Sequence, residues 1–179
     1  MCSGGLLNSS ISPGTPYFLT ANHCISRDRE AVTLEAFFQF TIDCGSTACP
    51  DYNQINTPTT LGSSVLATNS TSDFTLLELS QTPPAGSVFM GWTTAPVVTT
   101  EDTLYRIGHP GGAPQAYPEH DEWVPPVVCN GWPRGQGIYT QDITGATEGG
   151  SSGSPVVNVS GQVVGQLSGG CGYDVYNTC

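Results

Sequence analysis

Apolar residues arrive along this chain in short bursts, and most bursts alternate with polar positions instead of recurring at helical spacing. The compact run "YFLTA" (17–21) stops at Asn22-His23-Cys24. In "AVTLEAFFQFTI" (31–42), Val32, Leu34, Ala36, Phe38 and Phe40 fall at every second position, which predicts a strand with one buried face. A long loop rich in Gly, Pro, Asn and Thr is expected over roughly residues 43–64. Two further strands, "SSVLATNS" (63–70) and "SDFTLLELS" (72–80), follow it. "QTPPAGS" (81–87) reads as a turn, and "GWTTAPVV" (91–98) as a connection between two halves.

The second half predicts a strand at "TLYRIGHP" (103–110), a Pro/Gly-rich loop, and a strand at "GIYTQDI" (137–143). Its last part, "SPVVNVSGQVVGQLSGG" (154–170), is expected to fold as a hairpin, with Val-rich strands either side of Ser160-Gly161. Neither sustained helical periodicity nor an internal repeat is visible. The expectation is an all-β protein in two units, residues 1–94 and 95–179.

Composition sharpens this picture. The 22 glycines and 14 prolines among 179 residues suit many short strands joined by turns. No apolar run approaches the roughly 18 residues of a membrane span, and the mean hydropathy is −0.11. Fifteen acids face only four basic residues (Arg27, Arg29, Arg106 and Arg134), for a formal net charge of −11. A nucleic-acid binder needs a basic stripe to neutralise phosphates, so that class is disfavoured, as is adsorption to anionic membranes.

Seven cysteines indicate an oxidising compartment and hence secretion. Met1 is followed directly by "CSGGLL", without the charged start and apolar core of a signal peptide. With the odd cysteine count and the end at Cys179, the chain reads as a piece of a secreted protein. A zinc site is the competing use for the cysteines. Cys44 and Cys49 flank four residues, but no second close pair completes a four-ligand set, so neither metal nor cofactor is expected. Asn8, Asn69 and Asn158 each begin an Asn-x-Ser/Thr sequon.

The candidate chemistry centres on "TEGGSSGSPVV" (147–157), which alone would pass for a Gly/Ser loop. His23 ends the apolar run 17–21. Asp73 opens "DFTLLEL", where apolar neighbours draw its carboxylate inward and a histidine N–H is one natural partner. The order His23…Asp73…Ser152, at intervals of 50 and 79 residues (73 − 23 and 152 − 73), is that of chymotrypsin. The α/β-hydrolases run Ser, acid, His. Their G-x-S-x-G elbow is matched by residues 149–153, with Ser151 as nucleophile, but no histidine follows residue 120 and no strand–helix alternation is present.

"YFLTANHC", "SDFTLLEL" and "GSSGSPV" resemble the three catalytic blocks of chymotrypsin-fold serine proteases. "LYRIGHPGG", "IYTQDITGATEGGSSGSP" and "VVGQLSGGCG" are most similar to a bacterial secreted branch, that of the lysyl endopeptidases. The resemblance implies two antiparallel Greek-key β-barrels, here incomplete at both the N- and C-termini.

It also implies a serine endopeptidase with His23 as general base, Asp73 as its orienting acid and Ser152 as nucleophile. The Gly150 and Ser152 N–H groups would form the oxyanion hole. Ser168, Gly169 and Gly170 match the edge that pairs with substrate backbone, and Glu148 is a candidate for adding negative charge near a basic substrate side chain. Cys2 and Cys24 match the family's disulfide beside the histidine, and Cys171 and Cys179 are candidate partners in the second half. Cys44, Cys49 and Cys129 stay unassigned.

This sequence departs from the pattern at three positions. Ser151 stands where the digestive enzymes carry an aspartate that pairs with a new N-terminus, and Ala146 stands at the trypsin-type pocket acid. Ser154 stands where the family has glycine, and no chemistry is assigned to it. The expected partner is a protein or peptide substrate, and the protein is expected to be a monomer that binds neither nucleic acid nor membrane. As a partial chain it is expected to be weakly active or inactive. The alternatives are a protease-like binding module without turnover, or an inactive protease fragment.

Overall fold

The computed structural model describes residues 1–46, 48–54, 56–97, 103–122, 137–145 and 147–171. Cys129, Arg134, Ala146 and Cys179 therefore lie outside the described residues. The first half contains β1 (Gly5–Leu7), β2 (Tyr17–Ala21), a single-turn helix α1 (Asp28–Ala31), β3 (Glu35–Phe37), β4 (Thr59–Leu61), β5 (Ser63–Asn69) and β6 (Phe74–Leu79). The second contains β7 (Thr103–Arg106), β8 (Glu119–Glu122), β9 (Thr140–Thr144), β10 (Pro155–Val157) and β11 (Val163–Gln166).

The fold is all-β, antiparallel and chymotrypsin-like. One sheet has the order β1-β2-β6-β5, a second β11-β10-β7-β8-β9, and β3 pairs with β4. Among the described residues both larger sheets stay open, with no pairing that joins their outer strands. Short parallel bridges at Leu7–Met90 and Trp92–Val163 tie the segment after β6 to both sheets.

Strand β6 shows how the pattern produces the core. Its alternate residues Thr75, Leu77 and Leu79 are buried, while Phe74, Leu76 and Glu78 are only half-buried. Leu6 and Ala21 from β1 and β2 join them, and Leu104, Val157 and Val163 form the apolar part of the second core. The 154–170 hairpin is present as expected, with Pro155 opposite Gln166. Its turn is closed by Asn158, whose side-chain oxygen accepts the Ser160 and Gln162 N–H groups.

Three expectations need correction. The strand expected across 31–42 is cut to Glu35–Phe37. Asp28–Ala31 turns helical ahead of it, and Gln39 adopts a left-handed φ of 57° that no strand can continue through. Ala36 and Phe40 are buried as the alternation requires, but Val32 is exposed. The 43–64 loop is not featureless, because β4 and a short 3₁₀ turn at Tyr52–Gln54 lie in it. The Pro/Gly-rich loop after β7 likewise contains β8, which pairs with β7 through Leu104–His120.

Candidate active site

Strand β2 ends at Ala21, and the following turn carries His23 outward, its side chain 46% exposed. Asp73 lies one residue before β6, its side chain 13% exposed. Because β2 and β6 pair with Ala21 opposite Phe74, the two turns sit side by side. The His23 Nδ1 is 2.8 Å from Asp73 Oδ2, and the His23 backbone N–H donates to Asp73 Oδ1 over 2.9 Å. Bonding to Asp73 fixes Nδ1 as the protonated nitrogen and leaves Nε2 with its lone pair.

Asp73 is held unusually tightly. Its backbone is left-handed at φ 51°, a conformation aspartate tolerates better than most residues. Its carbonyl accepts the Asn22 N–H and the Gln166 side-chain amide. Ser168, just past β11, donates its hydroxyl to Asp73 Oδ2 over 2.6 Å. Thus Ser168 meets the acid of the dyad directly, a contact that no local motif announces.

Cys2 and Cys24 are joined by a disulfide, which links the residue before Ser3 to the residue after His23. Their sulfurs lie within 4.8 Å of a His23 ring nitrogen. Being joined, they offer no thiolate to a metal. Cys44 is free, whereas Cys49 and Cys171 are disulfide-bonded, so Cys44 and Cys49 cannot act as a thiolate pair.

The glycine-serine stretch is an ordered turn, not a linker. Ser151 N–H donates to Glu148 O, and Ser151 O accepts both the N–H and the hydroxyl of Ser154. That bond gives Ser154 a structural role, and both Ser151 and Ser154 are fully buried. Gly150 has a φ of 97°, and a Cβ there would lie 2.9 Å from His109 O, so only glycine fits. Gly153 packs against β2, since a Cβ on it would come 2.5 Å from Thr20 Oγ1. Ser152 is thereby seated beside the strand that leads to His23, with its carbonyl accepting Ser3 N–H over 2.7 Å. The Gly150 and Ser152 N–H groups donate to no other group among the described residues.

A pocket of about 1030 Å³ opens beside Asp73, with Ser168, Gly169 and Gly170 along one edge. Arg106, His120 and Asp142, none of them singled out by sequence, stand in its wall. His120 Nδ1 is 2.7 Å from Asp142 Oδ1, and Thr147 bridges the other carboxylate oxygen to the Arg106 guanidinium. The hydrogen bond from His120 is the main cause holding the Asp142 carboxyl below its ordinary range. Burial pulls Arg106 down, with Asp142 opposing. Glu148 does not line this pocket, and its carboxylate faces Gly111.

The family described as lysyl endopeptidase, C-terminal domain, matches residues 1–178. The lysyl endopeptidase of Pseudomonas aeruginosa is 34% identical over 179 residues, which covers 95% of this chain and 36% of that protein. The chain thus spans just over a third of that relative's length. With the match running through every segment described above, the chain belongs to the lysyl endopeptidase C-terminal domain family.

Proposed function

We propose that this protein is a secreted, monomeric serine endopeptidase that cleaves protein or peptide substrates through an acyl-enzyme. The observation that carries the reading is the oriented His23–Asp73 pair, at 2.8 Å, with Ser168 and the His23 N–H holding the same carboxylate. Ser152 Oγ attacks the scissile carbonyl while His23 Nε2 takes its proton, and Asp73 stabilises the imidazolium that results. The oxyanion accepts from the Gly150 and Ser152 N–H groups, a donor pair of which each member is worth about 3 kcal/mol in the transition state. His23 then returns the proton to the leaving amine, and water repeats the sequence on the ester. The Ser168–Gly170 edge takes the substrate backbone as an added strand.

A preference for a basic residue before the scissile bond is supported by the name of the Pseudomonas aeruginosa relative. In the described pocket wall Asp142 is offset by Arg106, and the other carboxylate, Asp73, is engaged by His23 and Ser168. The test is burst kinetics with an active ester, followed by a peptide library. A slow burst of one acyl group per folded chain, abolished by Ser152→Ala, is expected, in keeping with weak activity. A binder without turnover would give no burst, and dominant cleavage after apolar or acidic residues would remove the basic preference.

A further inference from the structure

Four consecutive carbonyls run through the proposed oxyanion turn, and each has a donor. Gly149 O accepts Gly111 N–H, and Ser151 O accepts Ser154. The other two, Gly150 O and Ser152 O, are both held by one residue, Ser3. Its hydroxyl donates to Gly150 O over 2.8 Å and its N–H to Ser152 O over 2.7 Å. The same hydroxyl oxygen accepts His109 N–H over 3.0 Å, and the Ser3 carbonyl accepts the Thr20 hydroxyl over 2.8 Å. Ser3 is 5% exposed, so water does not compete for these bonds.

We infer that Ser3 is a positioning residue for the oxyanion hole: it holds the peptide planes adjoining the two that carry the Gly150 and Ser152 N–H groups, which Gly111 and Ser154 hold through Gly149 O and Ser151 O. The inference rests on the protease reading above and extends it to a residue far from the chemistry in sequence. Ser3 fixes the peptide planes that follow Gly150 and Ser152, which confines the φ and ψ of both residues. Gly150 has no Cβ to restrict it, so its observed φ of 97° must be held from outside. Ser151 carries no charge with which to fasten this turn to an N-terminal ammonium. Ser3 supplies a neutral fastening from the segment that leads into β1, one residue from the Cys2–Cys24 disulfide.

The test compares Ser3→Ala, Ser3→Val and Ser3→Thr in the full chain, using pre-steady-state acylation by a p-nitrophenyl ester. Thermal unfolding is recorded for each. Loss of the hydroxyl frees Gly150 O and orphans His109 N–H. Ser3→Ala and Ser3→Val are therefore expected to acylate about tenfold to a hundredfold more slowly. The burst amplitude should stay at one per folded chain, and KM should hardly change. Ser3→Thr keeps the hydroxyl and should acylate within a few-fold of the unmodified protein. The inference is overturned if Ser3→Ala acylates at the unmodified rate, if Ser3→Thr is as slow as Ser3→Val, or if the loss tracks only the unfolded fraction. A missing Ser152-dependent burst in the unmodified protein is a different outcome, and it overturns the protease reading as well.

Discussion

Ser168 donates its hydroxyl to Asp73 Oδ2 over 2.6 Å, although 95 residues separate the two. The bond runs from the end of the second sheet to the acid at the start of β6, so the dyad is assembled by both halves of the chain. Removing it leaves a half-buried carboxylate short of one donor, and a hydrogen bond to a charged group is worth about 1.5–3 kcal/mol. Ser168→Ala should therefore lower kcat about tenfold or more, with the loss exceeding any rise in KM. Steady-state kinetics on a peptide ester would check this, and an unchanged kcat would mean that His23 and its own N–H suffice to hold Asp73.

His109 makes a distinct pH prediction. Its ring stacks on Phe40 and its Nδ1 bonds to Ala113 O. Burial pushes its pKa below the ordinary 6.5, with the Ala113 hydrogen bond opposing. The unfolded chain therefore binds more protons than the folded one between the folded value and 6.5. The stability that His109 contributes is complete above 6.5 and is lost as pH falls from there through the folded value. The melting temperature should decline between about pH 7 and pH 5 and decline less steeply in His109→Gln. Parallel profiles for the two proteins would remove His109 as the cause.

Elements whose partners are near in sequence were legible before the structure. The alternation of β6 and the paired valines of β10 and β11 each declare a buried face in a single stretch. The same period-two signal misled at 31–42, because a left-handed Gln39 is a backbone event that side-chain polarity does not encode. Strands β4 and β8 sit in turn-forming composition and exist because the preceding strands, β3 and β7, pair with them across the intervening loops. The candidate site divides in the same way. His23, Asp73 and the Gly150–Ser152 turn belong to contiguous motifs, whereas Ser3 acts on a residue 147 positions away and gives no local sign.

The Arg106–Thr147–Asp142–His120 chain tests how the second sheet tolerates buried charge. Arg106 is 2% exposed, and the charge of Asp142 acts against its desolvation. Asp142→Asn removes a carboxylate charge that opposes the buried guanidinium and should cost about 3 kcal/mol at neutral pH. Adding Arg106→Met should recover part of the loss, giving a double variant more stable than the sum of the single effects. Asp142 is held below 3.8, so its contribution is present above that value and is lost as pH falls through the folded pKa. Urea unfolding of the three variants measures this, and simple additivity would show that Arg106 and Asp142 do not interact.

The disulfide has both a thermodynamic and a catalytic consequence, and the two can be separated. Cys2 and Cys24 close a loop with a sequence separation of 22. In the chain-entropy account such a loop stabilises the folded state by about 3 kcal/mol. The double variant Cys2→Ala/Cys24→Ala should therefore show a lower urea midpoint. The bond also anchors Ser3 to the turn that carries His23, so its loss loosens the oxyanion turn and the general base together. Acylation per folded chain should slow, and slow further than Ser3→Ala alone, because that substitution leaves His23 anchored. A variant that is less stable but acylates at the unmodified rate per folded chain would confine the disulfide to stability and leave the hydrogen bonds of Ser3 sufficient to hold the turn.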